Sequence, residues 1–331
     1  MYRAVIQRGY NAEDPLSTLE LLSKPIPTAA PGYVVVHITV RPINPTDLMS
    51  TRTGRVAKAN QDPIIGSEGF GIVETIGDGV IRVKPGQRVV PILFQERESG
   101  NGSWQEYVTL KEDLVVPIPD SIADEVAAQF VINLWTVIGM LRDSAVPKGE
   151  YLIQTAAGSS LGRQVIKLAK HVGVKTINIV RRPDQKEGLF ALGADEVICS
   201  TTEDIVERVR EITCGKLAHG ALDCVGGNVT KAVAASVRNE GQVIVYGFLS
   251  SNDVIVSIPD LFRGVSLKSW TIAKVWDDRE DVSKQTIQYL EDKTFEPTSG
   301  EKLDLADFKT AIEKSEQVGR GGKVLLTSAP K

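Results

Sequence analysis

Between residues 151 and 246 the sequence switches repeatedly between two hydrophobic periods, and this alternation restricts the fold more than any other feature of the chain. Short apolar runs at 151–154, 176–180, 196–198, 221–225 and 242–246 read as strands. The segments between them, about 162–172, the stretch after Asp184, about 203–212 and 229–237, carry helical spacing. Strands that are apolar at nearly every position are buried on both faces. The pattern therefore predicts a parallel sheet with helices on both sides, a doubly wound α/β domain.

The first third reads differently. Short β-type runs at 33–40, 70–76, 87–91 and 104–110 are broken by Gly and Pro, which predicts a β-rich domain up to about residue 120. Ile122, Val126, Phe130, Trp135, Ile138 and Leu141 then recur at helical spacing and mark the hand-over to the second domain. Past Asp278 two amphipathic helices, about 279–291 and 305–316, precede a last strand at 323–327. With 331 residues and 42% apolar content, the chain has enough material for two cores. No repeat of about 20 to 50 residues is present, so a solenoid or propeller is not expected.

The formal charge of −4 and the absence of any block of like charges give no grip on a nucleic-acid backbone. No apolar run approaches the roughly 18 residues needed to cross a bilayer. The opening Met1-Tyr2-Arg3-Ala4-Val5-Ile6-Gln7 reads as a strand, without the features of a signal or transit peptide, so a cytoplasmic protein is expected, although a processed organellar form would look the same. Cys199, Cys214 and Cys224, at spacings of 15 and 10, fit neither a redox pair nor a zinc knuckle and are expected to be reduced, half-buried thiols.

Ile153-Gln154-Thr155-Ala156-Ala157-Gly158-Ser159-Ser160-Leu161-Gly162 lies between a predicted strand and a predicted helix, where a dinucleotide fold seats its diphosphate. Small residues let the backbone approach phosphates, though such a turn also serves simple packing. With Gly162 as the third glycine of Gly-x-Gly-x-x-Gly, the first two positions hold Ala157 and Ser159 instead. The next strand ends in Val180-Arg181-Arg182. An NAD site places a carboxylate there for the ribose 2′-hydroxyl, whereas two guanidiniums suit a 2′-phosphate, so NADPH is the expected cofactor. A solvated pair of loop arginines is the plainer alternative. The strand ends at Asp223-Cys224-Val225-Gly226-Gly227 and Tyr246-Gly247-Phe248 also fall at the carboxyl edge of the sheet.

Together with Val180-Arg181-Arg182-Pro183 and the closing Gly322-Lys323-Val324, these motifs resemble the zinc-free medium-chain dehydrogenase/reductase superfamily over essentially the whole chain. Pro42-Ile43-Asn44-Pro45-Thr46-Asp47 and Gly66-Ser67-Glu68-Gly69 look most like the mitochondrial-type 2-enoyl thioester reductases. The resemblance implies a GroES-like substrate domain over 1–120, a Rossmann NADPH domain over 121–275 and a segment over 276–331 that returns to the first domain. It implies cofactor contacts at Asn133, Gly158, Ser159, Ser160, Leu161, Arg181, Arg182, Tyr246, Gly247, Phe248, Leu249, Trp270 and Lys323. Asn133, Trp270 and Lys323 rest on that match alone; a buried helix polar group, a core aromatic and an exposed lysine are their plain readings.

Zinc members of the superfamily carry a thiolate where this chain has Asn44 and an imidazole where it has Ser67, so no metal site is expected. Without a Lewis acid, reduction of a polarised C=C bond in an α,β-unsaturated carbonyl compound is the expected reaction. The resemblance also calls for a tyrosine proton donor, but residues 48–56 contain none. Arg55 stands nearest its place, and Asn44 and Thr46 are the other candidate catalytic residues, each equally able to fasten its own loop. The missing tyrosine favours a quinone oxidoreductase as the rival activity, and a non-catalytic nucleotide binder is the alternative of another class. A homodimer is expected from the resemblance and from the β-type runs 253–258 and 265–272, which offer an edge for pairing across a two-fold axis.

Overall fold

The computed structural model describes residues 1–328, which divide into two compact units. One comprises Met1–Ile132, Thr286–Glu291 and the chain from Glu296; the other comprises Asn133–Gln285 and Asp292–Phe295. No helix among the described residues is long and apolar enough to cross a membrane.

The first unit opens with β1 (Tyr2–Gln7), β2 (Leu19–Lys24) and β3 (Tyr33–Pro42), followed by the helix α1 (Pro45–Arg52). Then come β4 (Phe70–Ile76), β5 (Arg88–Pro91), β6 (Tyr107–Lys111), β7 (Val115–Pro117) and the short α2 (Asp124–Ala127). The long strand β3 pairs with β4 along most of its length; on its other side Tyr33–His37 meet β6. Beyond them, Val40–Pro42 meet a strand from the C-terminal segment, the last of the elements named below. Leu19, Ile43, Leu48, Ile65 and Trp104 fill the core with Phe308, Ile312 and Leu326. The run expected as a strand from residue 104 begins its pairing with β3 only at Tyr107, because the Trp104 carbonyl accepts from Val5 N–H at 2.8 Å instead.

The second unit runs α3 (Thr136–Ser144), β8 (Tyr151–Gln154), α4 (Ser160–Val172), β9 (Lys175–Val180), α5 (Lys186–Leu192) and β10 (Glu196–Cys199). It continues with α6 (Ile205–Ile212), β11 (Ala218–Asp223), α7 (Gly227–Ala235), β12 (Val237–Val245), α8 (Ile258–Phe262) and β13 (Ser266–Ser269). Its six strands lie in the order β10-β9-β8-β11-β12-β13, all parallel, so the sequence order reverses between β8 and β11. Alternation along the strands serves the two helical layers: Val180 and Val197 pack under Ile166 and Leu189, while Ile177, Ile179 and Ile198 pack under Ile205, Val209 and Val233. This is the doubly wound sheet that the apolar runs predict. After α9 (Arg279–Glu291), the chain adds β14 (Ser299–Asp304), α10 (Phe308–Glu316) and β15 (Lys323–Thr327) to the first unit, β15 being the strand that meets Val40–Pro42.

Two expected elements are corrected. The helical pattern over 121–141 is not one helix, because α2 is followed by a π-helical turn, Phe130–Trp135, before α3. The Glu68 carboxylate accepts the N–H groups of Val131 and Ile132 at 2.9 and 2.8 Å, and a side chain inserted into the ladder breaks the helix there. The β-type run 253–258 forms a single bridge, Val254 to Gly227, and then gives way to α8. Ser257 caps that helix and Pro259 in its first turn lacks the N–H that a strand would need. From the run 265–272 only β13 pairs, and it forms the edge of the sheet.

Candidate active site

In the first unit the Asn-Pro-Thr-Asp turn starts α1 with a reciprocal cap: Asp47 N–H donates to the Asn44 carbonyl at 3.0 Å, and the Asp47 carboxylate takes the Asn44 N–H at 2.9 Å. Asn44, Asp47, Ser67 and Glu68 have no exposed surface, and Arg97 and Lys323 keep 6% and 4%. These six side chains form one network. Lys323 donates to the Asn44 carboxamide oxygen and lies 3.5 Å from Glu68, while Asn44 Nδ2 donates to Glu68 Oε1 at 3.0 Å. The Ser67 hydroxyl donates to Asp47, and Arg97 Nη1 donates to Ser67 Oγ at 2.7 Å and Thr46 Oγ1 at 3.2 Å, 3.8 Å from Asp47.

Two carboxylates and two cations thus balance in the buried interior of the first unit. Burial pushes the Asp47 and Glu68 carboxyls up and the Lys323 ammonium down, and in each case the opposite charge of the partner works against that shift. Arg97 also reaches Glu98 at 2.8 Å, and Glu98 pairs with Arg55 at 2.7 Å. Asn44, half-buried Thr46 and exposed Arg55, the candidate catalytic residues, are therefore linked through Asp47, Arg97 and Glu98. Sequence reasoning passed over Arg97 and Asp47. The Asn-x-x-Asp spacing is a capping signal for the latter, but Arg97 sits in Gln95-Glu96-Arg97-Glu98, which reads as a solvated loop.

In the second unit the turn after β8 reaches α4 through Ser159, whose hydroxyl oxygen accepts the Gly162 N–H at 3.0 Å. A Cβ on Gly162 would lie 2.7 Å from the Ala157 carbonyl oxygen, so glycine is required for the helix to approach the turn. The N–H groups of Ser160 and Leu161 have no partner among the described residues and are left for an anion at the helix start. Buried Asp223 ties the neighbouring loops together: its carboxylate accepts from Thr155 Oγ1 at 2.7 Å, from Val225 N–H at 3.0 Å and from the Thr230 hydroxyl. Beside it the Tyr246 N–H donates to the Asp223 carbonyl at 2.8 Å.

Gly158, Ser159, Ser160, Leu161, Arg181, Arg182, Tyr246, Gly247, Phe248 and Leu249 all gather at the carboxyl ends of β8, β9 and β12, around the point where strand order reverses. Arg181 is exposed and has no acidic partner among the described residues, whereas half-buried Arg182 lies 3.5 Å from Asp184. Asn133 is buried within the π-helical turn. Trp270 is buried over Gly139, and its indole N–H donates to Asp143 at 2.9 Å. Lys323 belongs to the other unit and is buried rather than exposed.

Comparison with known proteins agrees with both halves. A model described as the alcohol dehydrogenase GroES-like domain matches residues 30–120, and one described as zinc-binding dehydrogenase matches residues 160–291. The chain is 32% identical over 298 residues to a Caenorhabditis elegans protein named mitochondrial enoyl-[acyl-carrier-protein] reductase, covering 87% of this chain and 83% of that one. This chain belongs to the medium-chain dehydrogenase/reductase superfamily. As a member of the superfamily it is an oxidoreductase, with a GroES-like domain and a Rossmann domain. The quinone oxidoreductase of Pseudomonas syringae aligns with 99% of this chain and 100% of its own at a TM-score of 0.86, with 26% identity. The Escherichia coli quinone oxidoreductase, solved with NADPH, shares the fold at a TM-score of 0.86 and 22% identity.

One of the two matching models carries zinc in its description, yet the polar cluster does not suit that ion. Zinc wants about three thiolate, imidazole or carboxylate ligands. The Asn44 oxygen is already taken by an ammonium, and the Ser67 hydroxyl by Asp47 and Arg97. Among the described residues no group of three or more His, Cys, Asp and Glu is arranged so that it could hold a metal ion. A divalent cation here would face two fixed positive charges.

Proposed function

We propose that this member of the superfamily is a zinc-independent, NADPH-dependent reductase of the C=C bond in α,β-unsaturated carbonyl compounds, with enoyl thioesters as the leading substrate class. The observation that carries the cofactor choice is the exposed, unpaired Arg181 guanidinium at the end of β9, where an NAD site needs a carboxylate. In this reading the free N–H groups of Ser160 and Leu161 hold the diphosphate, and Arg181 and Arg182 pair with the 2′-phosphate. Gly158, Ser159, Asn133, Tyr246, Gly247, Phe248 and Leu249 shape the remaining walls. Trp270 and Lys323 act indirectly, since their donors are engaged with Asp143 and with Asn44 and Glu68.

When bound, NADPH supplies the hydride for the β-carbon. The chain has to hold the carbonyl and its developing negative charge. Thr46 accepts from Arg97 and so keeps its own hydroxyl proton to donate, while Arg55 adds a guanidinium beside Glu98. Asn44 is buried and engaged, which suits positioning of the turn. Arg55 stays charged at working pH and is a poor acid, so solvent supplies the proton to the α-carbon.

Following nicotinamide absorbance with enoyl thioesters, enals and 1,4-quinones, before and after dialysis against a chelator, tests the reading. Turnover of enoyl substrates that survives the chelator supports it; loss on chelation defeats zinc independence. Turnover of quinones alone would favour a quinone oxidoreductase, a reading supported by the absence of tyrosine at 48–56 and the likeness to the Pseudomonas protein. A homodimer through the β13 edge, beside exposed Ile258, Leu261 and Phe262, belongs to the same proposal; a monomer mass in light scattering would remove it.

A further inference from the structure

Four residues beyond Arg181, the turn Pro183–Gln185 carries a glutamine that no motif singled out. Its half-buried side chain folds back over the nucleotide turn. A Cβ built on Gly158 would lie 2.1 Å from Gln185 Nε2, 2.9 Å from Cδ and 3.4 Å from Oε1, so the carboxamide occupies the space that the missing side chain of Gly158 leaves open. No hydrogen bond engages this carboxamide among the described residues. The three atoms nearest the Gly158 Cβ position all belong to the end of this flexible side chain, and the Gly158 backbone is not left-handed, so the close approach of the amide is what a side chain at 158 would disturb first.

An unengaged –NH2 group offers two donors. It lies against Gly158, two residues before Ser160 at the start of α4, and follows Arg181 and Arg182 by four and three residues in the chain. Unlike a guanidinium it brings no charge, so it adds a directed hydrogen bond without strengthening a general attraction for anions.

We propose that Gln185 is a cofactor-selecting residue whose carboxamide donates to the 2′-phosphate of NADPH, and that Gly158 is glycine to let it do so. This rests on the cofactor reading above. Gln185 shares the loop after β9 with Arg181 and Arg182, and the 2′-substituent of a dinucleotide is read at that loop, whereas the diphosphate is read at the helix start.

The test measures dissociation constants of NADPH and NADH, by quenching of protein fluorescence, for the full chain and for Gln185→Met, Gly158→Ala and the double variant. Gln185→Met keeps the side-chain volume and removes the donors; Gly158→Ala keeps the donors and pushes them aside. Each single variant is expected to weaken NADPH by about tenfold, the size of one hydrogen bond to a charged group, with NADH changed less than about twofold. The double variant should lose no more than either single one, because both act on the same amide. Unchanged or tighter NADPH binding in Gln185→Met, an equal loss for NADH, or additive losses in the double variant would overturn the proposal. If the unaltered chain itself binds both nucleotides equally, the cofactor reading fails; if it prefers NADPH and Gln185→Met keeps the full preference, this inference alone fails.

Discussion

Lys323 donates a hydrogen bond to the side-chain oxygen of Asn44 across 279 residues of sequence, with 4% of the lysine and none of the asparagine exposed. The contact joins β15 to the start of α1 and puts a fixed cation against Glu68, whose carboxylate in turn holds the π-helical turn at residues 131 and 132.

Removing that cation leaves the Glu68 carboxylate buried without its countercharge. Lys323→Met is expected to lower the unfolding free energy by about 3–5 kcal/mol. Lys323→Met with Glu68→Gln, which removes the stranded charge as well, is expected to recover a large part of the loss. Urea unfolding followed by circular dichroism measures both, and a single variant as stable as the parent would show that the pair is not charged in the folded protein.

The arginine pair after β9 should govern nucleotide choice. Arg181→Ala with Arg182→Ala is expected to weaken NADPH by at least about tenfold while leaving NADH within about threefold, since only the former carries the 2′-phosphate. Both nucleotides titrated at low and high salt show how much of the NADPH preference is screened, because charge pairs at an exposed arginine weaken as salt rises. Equal losses for both nucleotides would refute the assignment.

Acid should weaken the first unit at β14. Burial alone would raise the Asp304 carboxyl, but hydrogen bonds from Arg3 and from the Ala306 N–H outweigh it and hold the group below its ordinary value. An unfolded Asp titrates near about 3.9. On acidification the unfolded chain therefore takes up the proton first, so this contribution is complete above about pH 4 and is lost as pH falls through the lower folded value. Arg3→Met should flatten that acid limb in a denaturant series from pH 6 to below 3; an unchanged slope would count against the pair.

The cysteines should differ in reactivity. Cys199 and Cys224 are buried and Cys214 is exposed. Burial also pushes the Cys224 thiol up to about 11, far from the thiolate form that reacts. In the native protein at neutral pH, iodoacetamide is expected to label Cys214 alone, with all three labelled after unfolding. Labelling of Cys224 in the folded state, read by peptide mass, would contradict the packing around Thr155 and Asp223.

By itself the sequence determined the parallel sheet and the turn that feeds α4. Burial on both faces forces Ile, Val and Leu onto strands such as β8, β9 and β11, and a strand–turn–helix unit is contiguous, so Thr155–Gly162 and the arginines after β9 can be read in a line. Local pattern also caught most helices of the second unit, but not the break at 130–135, which depends on Glu68 more than sixty residues earlier. Only tertiary structure decided which charges are buried. Asp47, Glu68, Arg97 and Lys323 come from α1, the loop before β4, the turn at Glu96–Ser99 and β15, and a charged residue in isolation looks like solvated surface. The same holds for Gln185 against Gly158, where the glycine is explained by a side chain that folds back onto it from beyond the next strand. Periodicity records burial within one element; the pairing of charges and the filling of a missing Cβ depend on segments that meet only once the chain has folded.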